Sequence, residues 1–209
     1  MQIKEISSLL STHEPALLDT ANHRHAAVAM ILRPADQGHE VLFIERTRNE
    51  ADPWSGQMAF PGGVVEAHDA DARRAAERET LEEVGIDLTA AAFMGRLDDV
   101  QGRHRAQPNS IVVSGFVYYD EQGQETVPNY EVADIVWAPL TTFMDTGRFE
   151  YVEHPLAPDE RFPGVRVGRA DHQVVWGLTR RFLISFFEIT GQPFLAEPAH
   201  LRQTVQESD

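Results

Sequence analysis

The chain has 209 residues, 42% of them hydrophobic and 24% charged, which is enough apolar material for one substantial core and too much for a disordered chain. It contains no cysteine, so disulfides, thiolate metal sites and a cysteine nucleophile are excluded together, and any metal must be held by oxygen or imidazole. A formal net charge of -15 repels polyanions at long range, which argues against general nucleic-acid binding and docking on an anionic membrane; an anionic substrate would need a divalent cation as mediator.

The first residues, Met1-Gln-Ile-Lys-Glu-Ile6, mix acid and base and lack the apolar run of a secretion signal, and the longest apolar stretches fall short of a membrane span. A cytoplasmic protein is expected. No repeat or low-complexity segment divides the chain, which predicts a single domain over 1–209 with a helical extension at 1–20 and a tail at 191–209. In the extension, Ile3, Ile6, Leu9 and Leu10 mark one side of a short helix ending before Pro15. Two strand-like runs, Ala26 to Leu32 and Val41 to Ile44, flank a turn-rich stretch at Pro34 to His39 and predict a hairpin. A loop from Arg46 through Asp52-Pro-Trp-Ser-Gly56 leads to Phe60-Pro-Gly-Gly63, and a helix is predicted from Ala70 to Val84, with Gly85 as its C-terminal cap. Further β-type runs follow at Ala92 to Leu97, Ser110 to Tyr119 and Ile135 to Trp137, and then a long helix from Asp171 to Thr190. Strands and helices interleave without a regular βαβ rhythm, so the expected fold class is α/β, a mixed sheet sandwiched between helices. In the last helix, Phe182, Leu183, Phe186 and Phe187 either cover the sheet or form a homodimer contact.

The chemistry concentrates in Arg78-Glu-Thr-Leu-Glu-Glu-Val-Gly-Ile86. Positions three and four apart share a helix face, so Glu79, Glu82 and Glu83 are expected to converge, while Leu81 and Val84 point toward a core. Three like charges repel one another, and a hard divalent cation is the natural compensation. A Glu-rich helix is more often a plain solvated face. Two features argue against that reading here: Ala72, Ala75 and Ala76 leave room for close packing on the same face, and a glycine pair, Gly62-Gly63, lies just upstream.

Gly63 through Ile86 resembles the Nudix box, G-x5-E-x7-R-E-U-x-E-E-x-G-U, where U is a bulky aliphatic residue. Thr80 stands where that pattern has an aliphatic residue, and the spacing from Gly63 to Arg78 is one residue longer, with Asp69 where the first Glu would fall. This insertion with Asp is similar to the branch of the family that hydrolyses coenzyme A and its thioesters. Gly56-Gln-Met-Ala-Phe-Pro-Gly-Gly63, Gly95-Arg-Leu-Asp-Asp99 and Trp176-Gly-Leu-Thr179 are similar to segments of the same branch. The resemblance implies the Nudix fold and Mg²⁺ or Mn²⁺ as cofactor. It further implies that Glu79, Glu82 and Glu83 bind the metal, with the backbone carbonyl of Gly63 as a further ligand, and that Arg78 orients the carboxylates.

The implied reaction is attack by water on one phosphorus of a diphosphate, the cation lowering the water's pKa and neutralising charge on the leaving phosphate. Glu82 and Glu83 are catalytic candidates. The general base is Glu83 or a later acid such as Glu131 in Pro128-Asn-Tyr-Glu131. Substrate-binding candidates are Gly62 and Gly63, which permit close approach of backbone to phosphate, and the cations Arg46, Arg48, Arg103, His104 and Arg105. Trp54, Phe60 and Trp176 could stack on a base or belong to the core, and His23 and His25 flank a strand start and do not read as a metal pair.

The expected partner is a small-molecule nucleotide. Coenzyme A is the best single candidate, cleaved to 3′,5′-ADP and 4′-phosphopantetheine. The branch signature L-L-T-x-R-[SA]-x3-R-x3-G-x3-F-P-G-G is followed in part, with Arg46 and Thr47 present, but Arg48 to Ser55 is one residue longer and lacks the internal arginine. ADP-ribose, NADH or a dinucleotide are alternatives, as is a Nudix domain that binds a nucleotide without cleaving it.

Overall fold

Two continuous apolar runs, Ala26 to Leu32 and Val41 to Ile44, build the centre of the molecule, as suits strands covered on both faces. In the computed structural model, which describes residues 2–36, 38–49, 55–102, 111–154 and 157–195, α1 (Ile3–Thr12) is followed by β1 (Arg24–Ala35) and β2 (Gly38–Arg46). Then come β3 (Met58–Ala59), β4 (Gly62–Val64), α2 (Ala72–Val84), β5 (Ala92–Arg96), β6 (Val100–Gly102), β7 (Ile111–Tyr119) and β8 (Val132–Pro139). The chain ends in β9 (Phe149–His154), β10 (Ala157–Arg166), β11 (Val174–Val175) and α3 (Gly177–Ile189).

β1 and β2 form the expected antiparallel hairpin, in register from Leu32↔Val41 to Ala35↔Gly38. Beyond Leu32 the two strands part, and residues 58–64 enter the gap. β3 pairs with β2 (Ile44↔Ala59) and β4 with β1 (Ala26↔Val64, Val28↔Gly62), so the glycine pair lies against the start of the central strand. On its other edge β1 runs parallel to β7 from Arg24↔Ile111 to Leu32↔Tyr119. A parallel pair needs a long crossover, and that connection contains α2. The mixed sheet has the order β3-β2-β1-β7-β5, with β4 on β1, β6 on β7 and β8 on β2.

Helices cover both faces. α2 lies over Ala27, Ala29 and Ile31 of β1 with its own Ala75 and Ala76, all completely buried. The small residues let the helix approach the sheet closely. On the opposite face, Ile6 and Leu10 of α1 and Phe182, Leu183, Phe186 and Phe187 of α3 pack on Met30, Leu32 and Phe43. The phenylalanines of α3 thus cover the sheet. The α/β fold, a mixed sheet between helices, is as expected from the sequence. Among the described residues no helix is long and apolar enough to cross a membrane.

Three elements differ from expectation. The last helix begins at Gly177, not Asp171: the β-branched pair Val174-Val175 instead joins β10 through Arg166↔Val174 and Val165↔Val175. That pairing completes a second, three-stranded sheet, β11-β10-β9, in a region the sequence reading left unassigned. α2 begins at Ala72 because the Asp71 side chain caps it, accepting from the Arg74 amide at 2.9 Å. Finally, Leu81 does not point toward the core. It is 52% exposed, and the buried position on that turn belongs to Thr80. A helix face is set by what the helix lies on, and here the sheet contacts the Ala76–Thr80–Glu83 side.

Candidate active site

The site is built where α2 crosses the β1–β4 pair. Gly62 has a φ of 148°, and a Cβ there would stand 2.2 Å from the Ala27 carbonyl oxygen and 2.6 Å from Val28 Cα, so no side chain fits. A Cβ on Gly63 would lie 2.5 Å from the Glu79 carboxyl group. The glycine pair therefore brings backbone into direct contact with the carboxylates of α2. The Gly62 amide donates to Glu83 Oε2 at 2.8 Å.

Glu83 is 2% exposed. Burial pushes its pKa up to about 7, aided by the charges of Glu79 and Glu131 and opposed by the Gly62 amide and Arg46. Glu79 is also raised, chiefly by burial, with Arg78 opposing and Glu82 and Glu131 reinforcing. Glu82 and Glu131 thus lie within electrostatic reach of Glu79, and Arg46, Glu79 and Glu131 within reach of Glu83.

Arg78 organises the acids. Its Nε and one terminal nitrogen donate to the two oxygens of Asp69, each at 3.0 Å, while the other terminal nitrogen donates to Glu79 Oε1 at 2.9 Å and lies 3.7 Å from Glu82. A fourth donation reaches the Val64 carbonyl at 3.3 Å, tying α2 to the end of β4. The Asp69 side chain is almost fully buried, and the hydrogen bonds from Arg78 hold its pKa down at about 2. Asp69, which stands where the Nudix pattern has its first Glu, is thus the anchor of this arginine.

Glu131 is carried by the loop after Asp120, which is laced to α2 and β2. The Val127 amide donates to the Val84 carbonyl at 2.8 Å and the Asn129 amide to the Glu83 carbonyl at 2.9 Å. Thr47 donates from its amide to the Glu131 carbonyl at 2.8 Å and from its hydroxyl to the Tyr130 carbonyl at 2.9 Å.

The structure thus brings together Gly62, Gly63, Arg78, Glu79, Glu82, Glu83, Glu131 and Arg46. Arg48 is exposed, its stem against Gly56. Arg103, His104, Arg105 and Trp54 lie outside the described residues. Phe60 is a core residue stacked on Phe43 at 5.1 Å, and Trp176 sits against Phe162 at 5.2 Å. His25 faces Ser114 at 3.0 Å. The sequence reading missed Asp69 as the partner of Arg78, although the displaced acid was visible, and it missed Tyr130, which stands next to Glu131.

Among the described residues no three acids or imidazoles already stand in ligating geometry. Glu79 and Glu82 are turned toward Arg78. The donor set nevertheless suits a hard divalent cation: it is all oxygen, and it sets Glu79 and Glu131 near the buried Glu83, which accepts from the Gly62 amide.

A helix bearing carboxylates and clamped on a glycine pair, within a mixed sheet between helices, defines a class that sequence comparison identifies. Residues 23–157 match the sequence profile of the NUDIX domain. The chain is 32% identical over 167 residues to NudL, a Nudix hydrolase of Citrobacter koseri, a match covering 77% of this chain and 80% of that one. It is 27% identical over 165 residues to Nudix hydrolase 22, chloroplastic, of Arabidopsis thaliana, covering 77% of this chain and 53% of the plant protein. This protein belongs to the Nudix hydrolase family. A MutT/nudix family protein from Enterococcus faecalis shares the fold at a TM-score of 0.50 and 16% identity, over 91% of this chain and 68% of that one. The chain spans about half the length of some curated relatives that it matches.

Proposed function

We propose that this protein is a Mg²⁺- or Mn²⁺-dependent diphosphatase of a nucleotide-derived substrate, with coenzyme A or its thioesters as the preferred compound. The observation that carries this reading is the clamp of Glu79 and Glu83 on Gly63 and Gly62. It aligns buried acid oxygens with a strip of backbone that lacks side chains, where a diphosphate can lie close.

Glu79, Glu82, Glu83 and the Gly63 carbonyl would hold the cation. When bound, it supplies charge neutralisation for the diphosphate and acidifies a water molecule. Arg78, fixed by Asp69, keeps Glu79 and Glu82 oriented. A proton leaves the attacking water for Glu83 or Glu131. The placement of Glu83 supports the first choice, because its buried carboxyl group is held by the Gly62 amide at the backbone strip where the diphosphate would lie. The loop of Glu131 supports the second, since an exposed acid held by fixed backbone can reach a water without leaving its place.

Coenzyme A is supported by the Phe60-Pro-Gly-Gly63 segment and by the inserted residue with Asp69. One observation favours another nucleoside diphosphate derivative, such as ADP-ribose, NADH or a dinucleotide: there is no arginine between Arg48 and Gly56 to meet a 3′-phosphate. The test is a panel of coenzyme A, dephospho-coenzyme A, ADP-ribose, NADH and diadenosine polyphosphates with each metal, products resolved by mass. Release of 3′,5′-ADP from coenzyme A, slower cleavage of the dephospho form, and loss of both in Glu83→Gln are expected. Preference for another compound would overturn the specificity, and absence of cleavage across the panel would overturn the enzyme.

A further inference from the structure

Two aromatic side chains among the described residues are exposed, Phe93 at 40% and Tyr130 at 85%. Phe93 already has a partner, because the Arg73 guanidinium lies 4.0 Å above its ring and Tyr118 stands 5.4 Å away. Over Tyr130 no ring stacks and no guanidinium lies, among the described residues. A large ring left this open loses the hydrophobic gain of burial, and it does so beside the carboxylates of α2.

The backbone that carries the ring is held on both sides. The Val127 and Asn129 amides donate to the last carbonyls of α2, the Glu131 amide donates to Asn129 Oδ1 at 2.8 Å, and Thr47 takes up the carbonyls of Tyr130 and Glu131. Every anchor is a main-chain group of the loop or the Asn129 side chain. None uses the Tyr130 ring, so the loop presents the ring without engaging its faces. Its position is equally specific. The Tyr130 hydroxyl hydrogen-bonds the carboxylate of the adjoining Glu131, and the charges of Glu131 and Glu82 bear on the phenol as well, so the ring is tethered by its edge beside the acid cluster with its faces left open. Leu81, 52% exposed, and Val127, 63% exposed, widen the apolar surface at the same end of α2.

We propose that Tyr130 is the stacking platform for the nucleobase of the substrate, and that this ring selects base-bearing diphosphates over those without a base. The inference deepens the nucleotide reading above and rests on it. A ring face offers dispersion and quadrupole contact to any purine and carries no charge that would repel the phosphates. Because the faces are free and the backbone is already ordered, stacking adds little conformational cost. The neighbouring acids give the other half of the geometry: base on Tyr130, diphosphate toward Gly62 and Gly63.

The test is equilibrium binding of 1,N6-etheno-ADP and, separately, of inorganic diphosphate, to the wild type, Tyr130→Phe and Tyr130→Ala in Mg²⁺. The etheno base keeps its π face but has an altered hydrogen-bonding edge, so it reports stacking. Its fluorescence is expected to be quenched on the wild type and on Tyr130→Phe, with similar affinities. Tyr130→Ala should weaken etheno-ADP binding about 5- to 100-fold, the range for loss of one aromatic–base stack, and leave inorganic diphosphate binding unchanged. Circular dichroism checks that the exposed substitution leaves the fold intact. Equal etheno-ADP binding by Tyr130→Ala and wild type, or no binding by wild type, would overturn the proposal. Equal weakening of both ligands would also overturn it, by showing a general effect on the site. If no compound is hydrolysed but etheno-ADP binding still depends on the ring, the stacking role stands and only the catalytic reading falls.

Discussion

The two faces of the central sheet are packed by different rules. The face under α3 is filled with rings: Phe43 on Phe60 at 5.1 Å, Phe143 against Phe187 at 5.8 Å, and Phe187 against Phe194 at 5.4 Å. The face under α2 meets its helix through Ala27, Ala29, Ala75 and Ala76 and buries polar groups beside them: Glu77, Thr80, Glu83 and the Tyr118 hydroxyl. One face stabilises by apolar area, and the other places charges where water is scarce. Burying polar groups costs stability unless they are satisfied. Glu77 is satisfied, accepting from Tyr118 at 2.8 Å and from Arg73 at 3.0 Å, whereas among the described residues Glu83 accepts from the Gly62 amide and Thr80 Oγ1 has no partner. Thr80 thus stands in the helix that bears the candidate catalytic acids.

The largest expected effect is on activity alone. Glu83→Gln keeps the size of the side chain and an acceptor for the Gly62 amide, so the fold should persist while kcat falls by about 10²- to 10⁴-fold, the usual contribution of a positioned acid–base group. Steady-state rates with a thermal unfolding scan check this. A comparable loss of activity accompanied by collapse of the fold would show that the α2 face also carries the stability.

The reverse pattern is expected opposite. Phe186→Ala should cost about 3–5 kcal/mol of stability in urea unfolding and leave KM and kcat of the folded protein within about twofold of wild type. A large change in either constant would mean that the two faces are coupled.

Smaller effects probe the polar face itself. Asp69→Asn removes the charge that fixes Arg78 and is expected to cost about 1–3 kcal/mol. Asp69 is depressed from 3.8 to about 2, so its contribution is complete above pH 4 and is lost as pH falls toward 2. The wild type should therefore lose stability over that window more steeply than Asp69→Asn, by up to one proton's worth of slope, in unfolding followed at a series of pH values. Thr80→Val, which restores the aliphatic residue of the Nudix pattern, removes a buried hydroxyl without a partner and is expected to gain about 1 kcal/mol. A loss on that substitution would reveal a partner for the hydroxyl.

Much of this division was legible in the chain. The apolar runs Ala26 to Leu32 and Val41 to Ile44 flanking a turn-rich stretch, the helical pattern up to Val84 and the cap at Gly85 are local signals, and local pattern gives an element its type. Phe182, Leu183, Phe186 and Phe187 needed only helical spacing to be read as one apolar face. The Arg78–Ile86 segment announced oxygen-ligand chemistry through residue type and spacing. Other features were illegible because they depend on what an element lies against. Leu81 looks as apolar as Val84, yet only contact with β1 decides that Thr80 is inside and Leu81 outside. Val174-Val175 suits a helix interior or a strand, and the open edge of β10 decides for the strand.

By itself the sequence determined the family, the carboxylates of one helix turn and the glycines that must face them, because these follow from residue identity at fixed spacing. The tertiary structure alone decided that Gly62 and Gly63 enter the gap between β1 and β2, that Asp69 closes on Arg78 from nine residues away, and that Tyr130 stands open beside the acids. Each of those depends on how the chain packs beyond a single helix or strand, and no local pattern encodes where two such segments meet.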